Sequence, residues 1–166
     1  MPLPDKHSVR PVHVQNRQRR LRLKLSAVRS LAGLVLDAES VPPAVGITIV
    51  FVRDSVIREY NRRYLDHDFP TDVISFQPDP SDSLPADEPS AGDIMISVDH
   101  AIAYAAGNGL PAAEELARYI VHGILHCRGY DDLLPALERR MRRRQELLLQ
   151  RWLKTGMPVA EPYITG

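Results

Sequence analysis

Cysteine is nearly absent: Cys127 stands alone among 166 residues, so no internal disulfide can form. The fold must rest on burial and hydrogen bonding, which fits a protein of the reducing cytoplasm. Long hydrophobic runs are missing too. None approaches the roughly 18 residues of a membrane span, and no secretory apolar segment precedes the rest, so the reading is of a protein with no membrane partner. The arginine-rich start would also fit an organellar transit peptide. Net charge is zero, 21 basic against 21 acidic residues, which excludes a bulk field that draws the chain to nucleic acid. There is no internal repeat, and 166 residues leave no room for two well-buried cores. A single domain spanning 1–166 is expected.

The distribution of charge says more than its sum. Residues 6–29 carry Lys6, Arg10, Arg17, Arg19, Arg20, Arg22, Lys24 and Arg29 and no acid. Residues 139–154 hold seven basic side chains against Glu146, while 78–99 have six acids and no base. Basic clusters suit phosphate contacts; each alone is equally a solvated helix face.

What is present and unusual is the run His122-Gly123-Ile124-Leu125-His126-Cys127-Arg128-Gly129-Tyr130-Asp131-Asp132. Histidines four apart on a helix project from one face, one turn apart, close enough to share an ion. Gly129 admits the left-handed backbone that stops a helix, after which Asp132 can return a carboxylate to the same point. A His-x-x-x-His pair alone is weak evidence. Requiring Gly at +7 and Asp or His at +10 brings the chance rate to about one in a thousand at ordinary residue frequencies. Three protein ligands, His122, His126 and Asp132, with a position left for water are the arrangement of a catalytic zinc. The spacing is that of the metzincin helix H-E-x-x-H-x-x-G-x-x-H, with Gly123 for the glutamate and Asp132 for the last histidine. Without that glutamate the general base of a zinc metallopeptidase is gone, so peptidase chemistry is disfavoured. Asp132 remains a competent oxygen ligand, though its charge makes a bound water less acidic and widens metal choice. Cys127 points about 100° away from His126 and reads as a buried, inert thiol.

This run resembles the signature H-G-x-L-H-x-x-G-Y-D-H of the YbeY family, matching every specified position but the last. Residues 61–76, from Asn61-Arg62-Arg63-Tyr64 through Pro70-Thr71-Asp72-Val73 to Ser75-Phe76, are similar to that family's N-x-x-Y-R-x-x-D-x-P-T-D-V-L-S-F block. Gly92-Asp93-Ile94-Met95-Ile96-Ser97 is similar to its G-D-I-x-I-S strand. The resemblance implies a single-strand-specific, zinc-dependent endoribonuclease with one zinc per chain. It further implies single-stranded rRNA and ribosomal particles as partners, a part in maturing the 3′ end of small-subunit rRNA, and ribosome quality control. Leu65 stands where the family has an arginine that grips substrate, and Arg62 or Arg63, within a turn of it, could replace that grip. Water held by the ion would be the reactive group, with attack by the ribose 2′-hydroxyl as the alternative. Asp131 and Asp72 are candidates to assist it as base, and Asp131 equally a group that orients a ligand histidine. Thr71 and Ser75 are candidate phosphate contacts, with turn and strand-packing roles as the alternative. A non-catalytic, ribosome-associated metal-binding protein is the rival reading.

Periodicity places the elements. Residues 1–10 read as a loose arm, and Val12 to Val14 as a short strand with His13 outward. A helix is predicted over 26–38, and the β-branched stretch Val45 to Arg53 is a strand. Asp54 caps a helix to Leu65 with Val56, Ile57, Tyr60 and Tyr64 as its apolar side. Strands follow at 73–76 and 94–98. The four prolines of 77–91 make that segment an exposed loop. Asp99 caps the next helix, and Pro111 opens the helix that bears the metal run. A last helix over 134–153 packs through Leu137, Met141, Leu148 and Trp152. The expected class is α+β, an α/β sandwich: a small four-stranded mixed sheet flanked by about five helices.

Overall fold

The computed structural model describes residues 10–64, 72–78 and 89–163. In chain order these form β1 (Val12–Asn16), β2 (Arg22–Leu23), α1 (Leu25–Ala38), β3 (Gly46–Val52), α2 (Asp54–Tyr64) and β4 (Val73–Phe76), then β5 (Ser90–Ser97), α3 (Val98–Gly107), α4 (Ala112–Cys127), α5 (Pro135–Leu153) and β6 (Ala160–Glu161). Four strands make one mixed sheet in the order β1-β3-β5-β4, parallel except for the antiparallel β4–β5 pair. The architecture is the expected α+β one. The central strands are apolar on both sides because both faces are covered. Ile47, Ile49, Phe51, Ile94 and Ile96 point to one face, where α1 and α4 pack. Val52 and Ile74 point to the other, against Ile57 and Tyr60 of α2.

The helix α4 is the centre of the molecule. Ten of its sixteen residues are buried, among them Leu116, Ile120, Ile124 and Cys127, which recur at helical spacing. It approaches the sheet closely at Gly123. A Cβ there would stand 2.7 Å from Ile94 Cγ2 and 3.0 Å from Val73 Cγ1. The carbonyl of Gly123 accepts the Ser75 hydroxyl at 3.0 Å, so helix and sheet edge are pinned at this point.

Several local expectations are corrected. Pairing with β3 carries β5 back to Ser90, so Ser90 and Ala91 belong to a strand rather than to a loop over 77–91. Gln77, Pro78 and Pro89 are exposed as expected, and 79–88 lie outside the described residues. Arg10 is not part of a loose arm: its guanidinium donates to the carbonyls of Pro42, Val41 and Val45 and pairs with Asp37 at 2.6 Å. The rest of the arm lies outside the described residues. The α2 face is narrower than drawn, with Val56 and Tyr64 exposed and Asn61 buried: Ile57 and Tyr60 carry its apolar contact with the sheet. Leu137 is likewise at the surface. Ser97, not Asp99, caps α3, accepting from the His100 amide at 3.1 Å. Asp99 instead takes the Asp54 amide at 2.8 Å and the guanidinium of Arg53, so it closes the start of α2 from a distance. The short antiparallel pair β2–β6 was not anticipated, since two-residue strands leave no periodic trace.

Candidate metal centre

The last two turns of α4 and the loop after it bring His122, His126 and Asp132 together, one potential ligand atom from each lying within 4.8 Å of the others. The two imidazoles, one helical turn apart, have centroids separated by 4.6 Å at 77°. Gly129 makes the return possible. Its φ of 93° closes α4 in a Schellman turn, with the Gly129 amide on the His126 carbonyl at 3.0 Å and the Tyr130 amide on that of Leu125 at 3.1 Å. That turn also aims the Tyr130 carbonyl at His126 Nδ1, 3.0 Å away. Nδ1 is therefore a protonated nitrogen, and Nε2 faces Asp132 Oδ2 at 3.5 Å.

His122 is oriented from another helix. Its Nδ1 lies 2.7 Å from Gln145 Oε1 on α5. The amide cannot be turned round, because Gln145 Nε2 donates at 3.2 Å to Glu146, which as a carboxylate only accepts. Burial works against charge on Glu146, but hydrogen bonds from Arg118 and Gln145 outweigh it and hold its pKa below the usual range. Arg118 joins Glu146 at 2.8 Å to the buried Glu115, and burial lifts the pKa of Glu115 despite the guanidinium beside it. Nδ1 of both histidines is thus engaged, leaving Nε2 as the ligand atom, and Asp132 adds an exposed carboxylate. A His/His/carboxylate donor set with outward nitrogens already engaged suits a divalent ion such as zinc.

His122 and Asp132 open onto a cavity of about 270 Å³, whose walls include Asp72, His100, Tyr104, Arg118, Tyr119 and Gln145. Of the candidate assistants, Asp72 lines this cavity. It accepts its neighbour Val73's amide at 2.8 Å, and its carbonyl takes the Ser97 amide. Asp131 is not brought in. It accepts the Leu133 amide at 2.8 Å and lines a separate hollow with Glu39, Tyr130 and Arg140. The histidines are oriented by Gln145 and the Tyr130 carbonyl, not by Asp131. Ser75 donates to Gly123, the strand-packing role that was its alternative. Arg62 and Arg63 are exposed at the end of α2, across the sheet from α4, and both reach Glu59. Thr71 and Leu65 lie outside the described residues. Burial pushes the Cys127 thiol up to about 11, as befits an inert group.

Gln145 was missed, although a signal existed. It sits between Met141 and Leu148 on the buried stripe of α5, and a polar residue at a core position needs a partner.

The fold and the site define the class: an α+β protein with a histidine- and carboxylate-rich group, apt for a metal ion, at the C-terminal end of a buried helix. The family model described as Endoribonuclease YbeY matches residues 13–153. Proteins named Endoribonuclease YbeY from Syntrophotalea carbinolica and Chloroflexus aurantiacus are 33% and 40% identical, over 84% and 74% of this chain and 94% and 82% of theirs. The solution structure of TM1509 from Thermotoga maritima is similar in fold, with a TM-score of 0.56, 18% identity and coverage of 87% of this chain and 93% of that one. The chain belongs to the Endoribonuclease YbeY family.

Proposed function

We propose that this protein is a zinc-dependent endoribonuclease that cuts single-stranded rRNA on ribosomal particles in the cytoplasm. Maturation of the 3′ end of small-subunit rRNA and ribosome quality control are the processes in which it would act. The observation that carries the reading is the convergence of His122, His126 and Asp132 at the mouth of a cavity in a chain of this family. When bound, the ion supplies Lewis acidity toward a phosphate oxygen and lowers the pKa of water. The protein's part is to hold the donors. Gln145 and the Tyr130 carbonyl set the tautomers, and Asp72 places a carboxylate in the same cavity. Gly123 faces the sheet, so no side chain there could serve as a peptidase's glutamate. Substrate phosphates have cations available on α5, where Arg139, Arg140 and Arg143 are exposed. Arg62, Arg63, Thr71 and Ser75 are weaker candidates for that contact. No described helix is long and apolar enough to cross a membrane.

The test is cleavage of a single-stranded RNA by purified, zinc-loaded protein, with products read by mass spectrometry. Wild type should cleave and His122→Ala should not; equal background from both would end the proposal. Metal analysis should find one zinc per chain, lost in Asp132→Ala. Zinc retained there with full activity would show the ligand assignment to be wrong.

A further inference from the structure

The metal group accounts for His122, His126 and Asp132, yet the cavity that His122 and Asp132 open into contains another histidine. His100, on the first turn of α3, is half-buried in its wall. Its Nδ1 lies 2.9 Å from the Tyr119 hydroxyl on α4. Its backbone is held as well, since the His100 amide donates to Ser97 Oγ and that hydroxyl donates in turn to Asp54. The ring is fixed from two helices with Nε2 as its remaining polar atom.

Cleavage of a phosphodiester needs a proton for the departing sugar oxygen, because an alkoxide leaves poorly. The cavity offers few donors. Arg118 and Arg142 are guanidiniums, which do not release protons, and they hold the wall's two glutamates, Glu138 and the burial-raised Glu115, in ion pairs. Burial, with Asp72 and Glu115 nearby, pushes the Tyr119 phenol above its ordinary range. Tyr104 is a second phenol, and a phenol is a weak acid at neutral pH. Asp72 is a carboxylate accepting an amide, and His122 and Asp132 belong to the metal group. An imidazole gives and takes protons near neutral pH. His100 is the imidazole left.

We propose that His100 is the general acid of the cleavage reaction and that Tyr119 positions it; the assignment rests on the nuclease reading above. As water oxygen bonds to phosphorus and the bond from phosphorus to the leaving oxygen breaks, the imidazolium Nε2–H passes its proton to that oxygen. The ring is left neutral with its proton on Nδ1, donating to the Tyr119 oxygen. The attacking water releases one proton to solvent, and Nε2 regains one from it, so atoms and charge balance over the cycle. Sequence reading could not reach this residue, since the partners are 19 positions apart on different helices.

The experiment uses zinc-loaded full-length protein and a single-stranded RNA whose cleavage position has been mapped with wild type. A second RNA carries sulfur in place of the leaving oxygen at that position. H100Q should cleave the oxygen substrate about 10²–10⁴-fold more slowly, with zinc content and RNA affinity unchanged. On the sulfur substrate it should match wild type, because a thiolate departs without a proton. The wild-type rate should fall as pH rises through deprotonation of the acid, and this limb should vanish in H100Q. Y119F should lose about tenfold on the oxygen substrate alone, the worth of one hydrogen bond. H100Q as fast as wild type, or equally slow on both substrates, overturns the assignment and leaves the nuclease reading intact. A wild type that cleaves neither RNA overturns both. Should H100Q not fold, Y119F decides: an unchanged rate, or equal losses on the two substrates, overturns it.

Discussion

Gln145 and Gly123 show how single residues away from the ligand set shape the centre. Gln145 holds His122 by one bond of 2.7 Å, and leucine, of similar size, cannot accept it. Gln145→Leu should therefore weaken zinc binding about 10–100-fold, as loss of an outer partner of a metal-ligating histidine does, measured by competition with a chromogenic chelator. Unaltered affinity would mean that the packing of α4 alone orients the ring. Gly123 serves the opposite side of the helix. Gly123→Ala improves helix propensity by about 1 kcal/mol, but its Cβ enters the space of Ile94 and Val73, and such overpacking costs about 1–3 kcal/mol. Net destabilisation in urea unfolding is expected, and Ile94→Ala in the same background should cost less than it does in wild type.

At the scale of elements, the end of α4 is both a helix stop and a ligand-positioning device. Nothing lies within 4 Å of where a Cβ at 129 would stand, so Gly129→Ala tests the backbone alone. At φ 93° an alanine costs about 1–2 kcal/mol, or it shifts the turn and takes the Tyr130 carbonyl from His126. The apo protein should melt lower, and the stabilisation gained on adding zinc should shrink as well; a melting shift equal with and without zinc would separate the stop from the site. The α5 helix has a comparable double character. Met141, Leu148 and Trp152 pack while Gln145 and Glu146, between them, serve the centre. A polar residue on an apolar stripe is visible in sequence, but its partner is not. The narrow buried face of α2 was also illegible, because which side chains of a helix meet a sheet depends on how the two dock.

Across the whole molecule, Asp99 ties together α2, α3 and the segment after β1. Burial opposes its charge, but the Asp54 amide, Arg53 and Arg20 outweigh that and hold its pKa below the usual carboxylate range. The unfolded chain thus binds a proton more readily at this site than the folded one. The stability it contributes is present above the unfolded carboxylate value, about 3.9, and is lost as pH falls through the lower folded value. Asp99→Asn should be less stable at neutral pH and show a flatter acid limb in urea unfolding followed down to roughly pH 3; a limb of unchanged slope would assign acid sensitivity elsewhere.

The sequence by itself determined what is local. Histidines 122 and 126 share a face because the helical repeat puts them there, and Gly129 ends that helix because a positive φ suits glycine. The apolar runs of β3, β5 and α4 declare their own burial. Tertiary structure decided what depends on the docking of one element against another. Gln145 faces His122 across 23 positions, His100 meets Tyr119 between two helices, Gly123 takes the sheet side, and Asp131 turns away from the ligands. Such pairings follow from the angle and depth at which helices pack, which no spacing along the chain encodes.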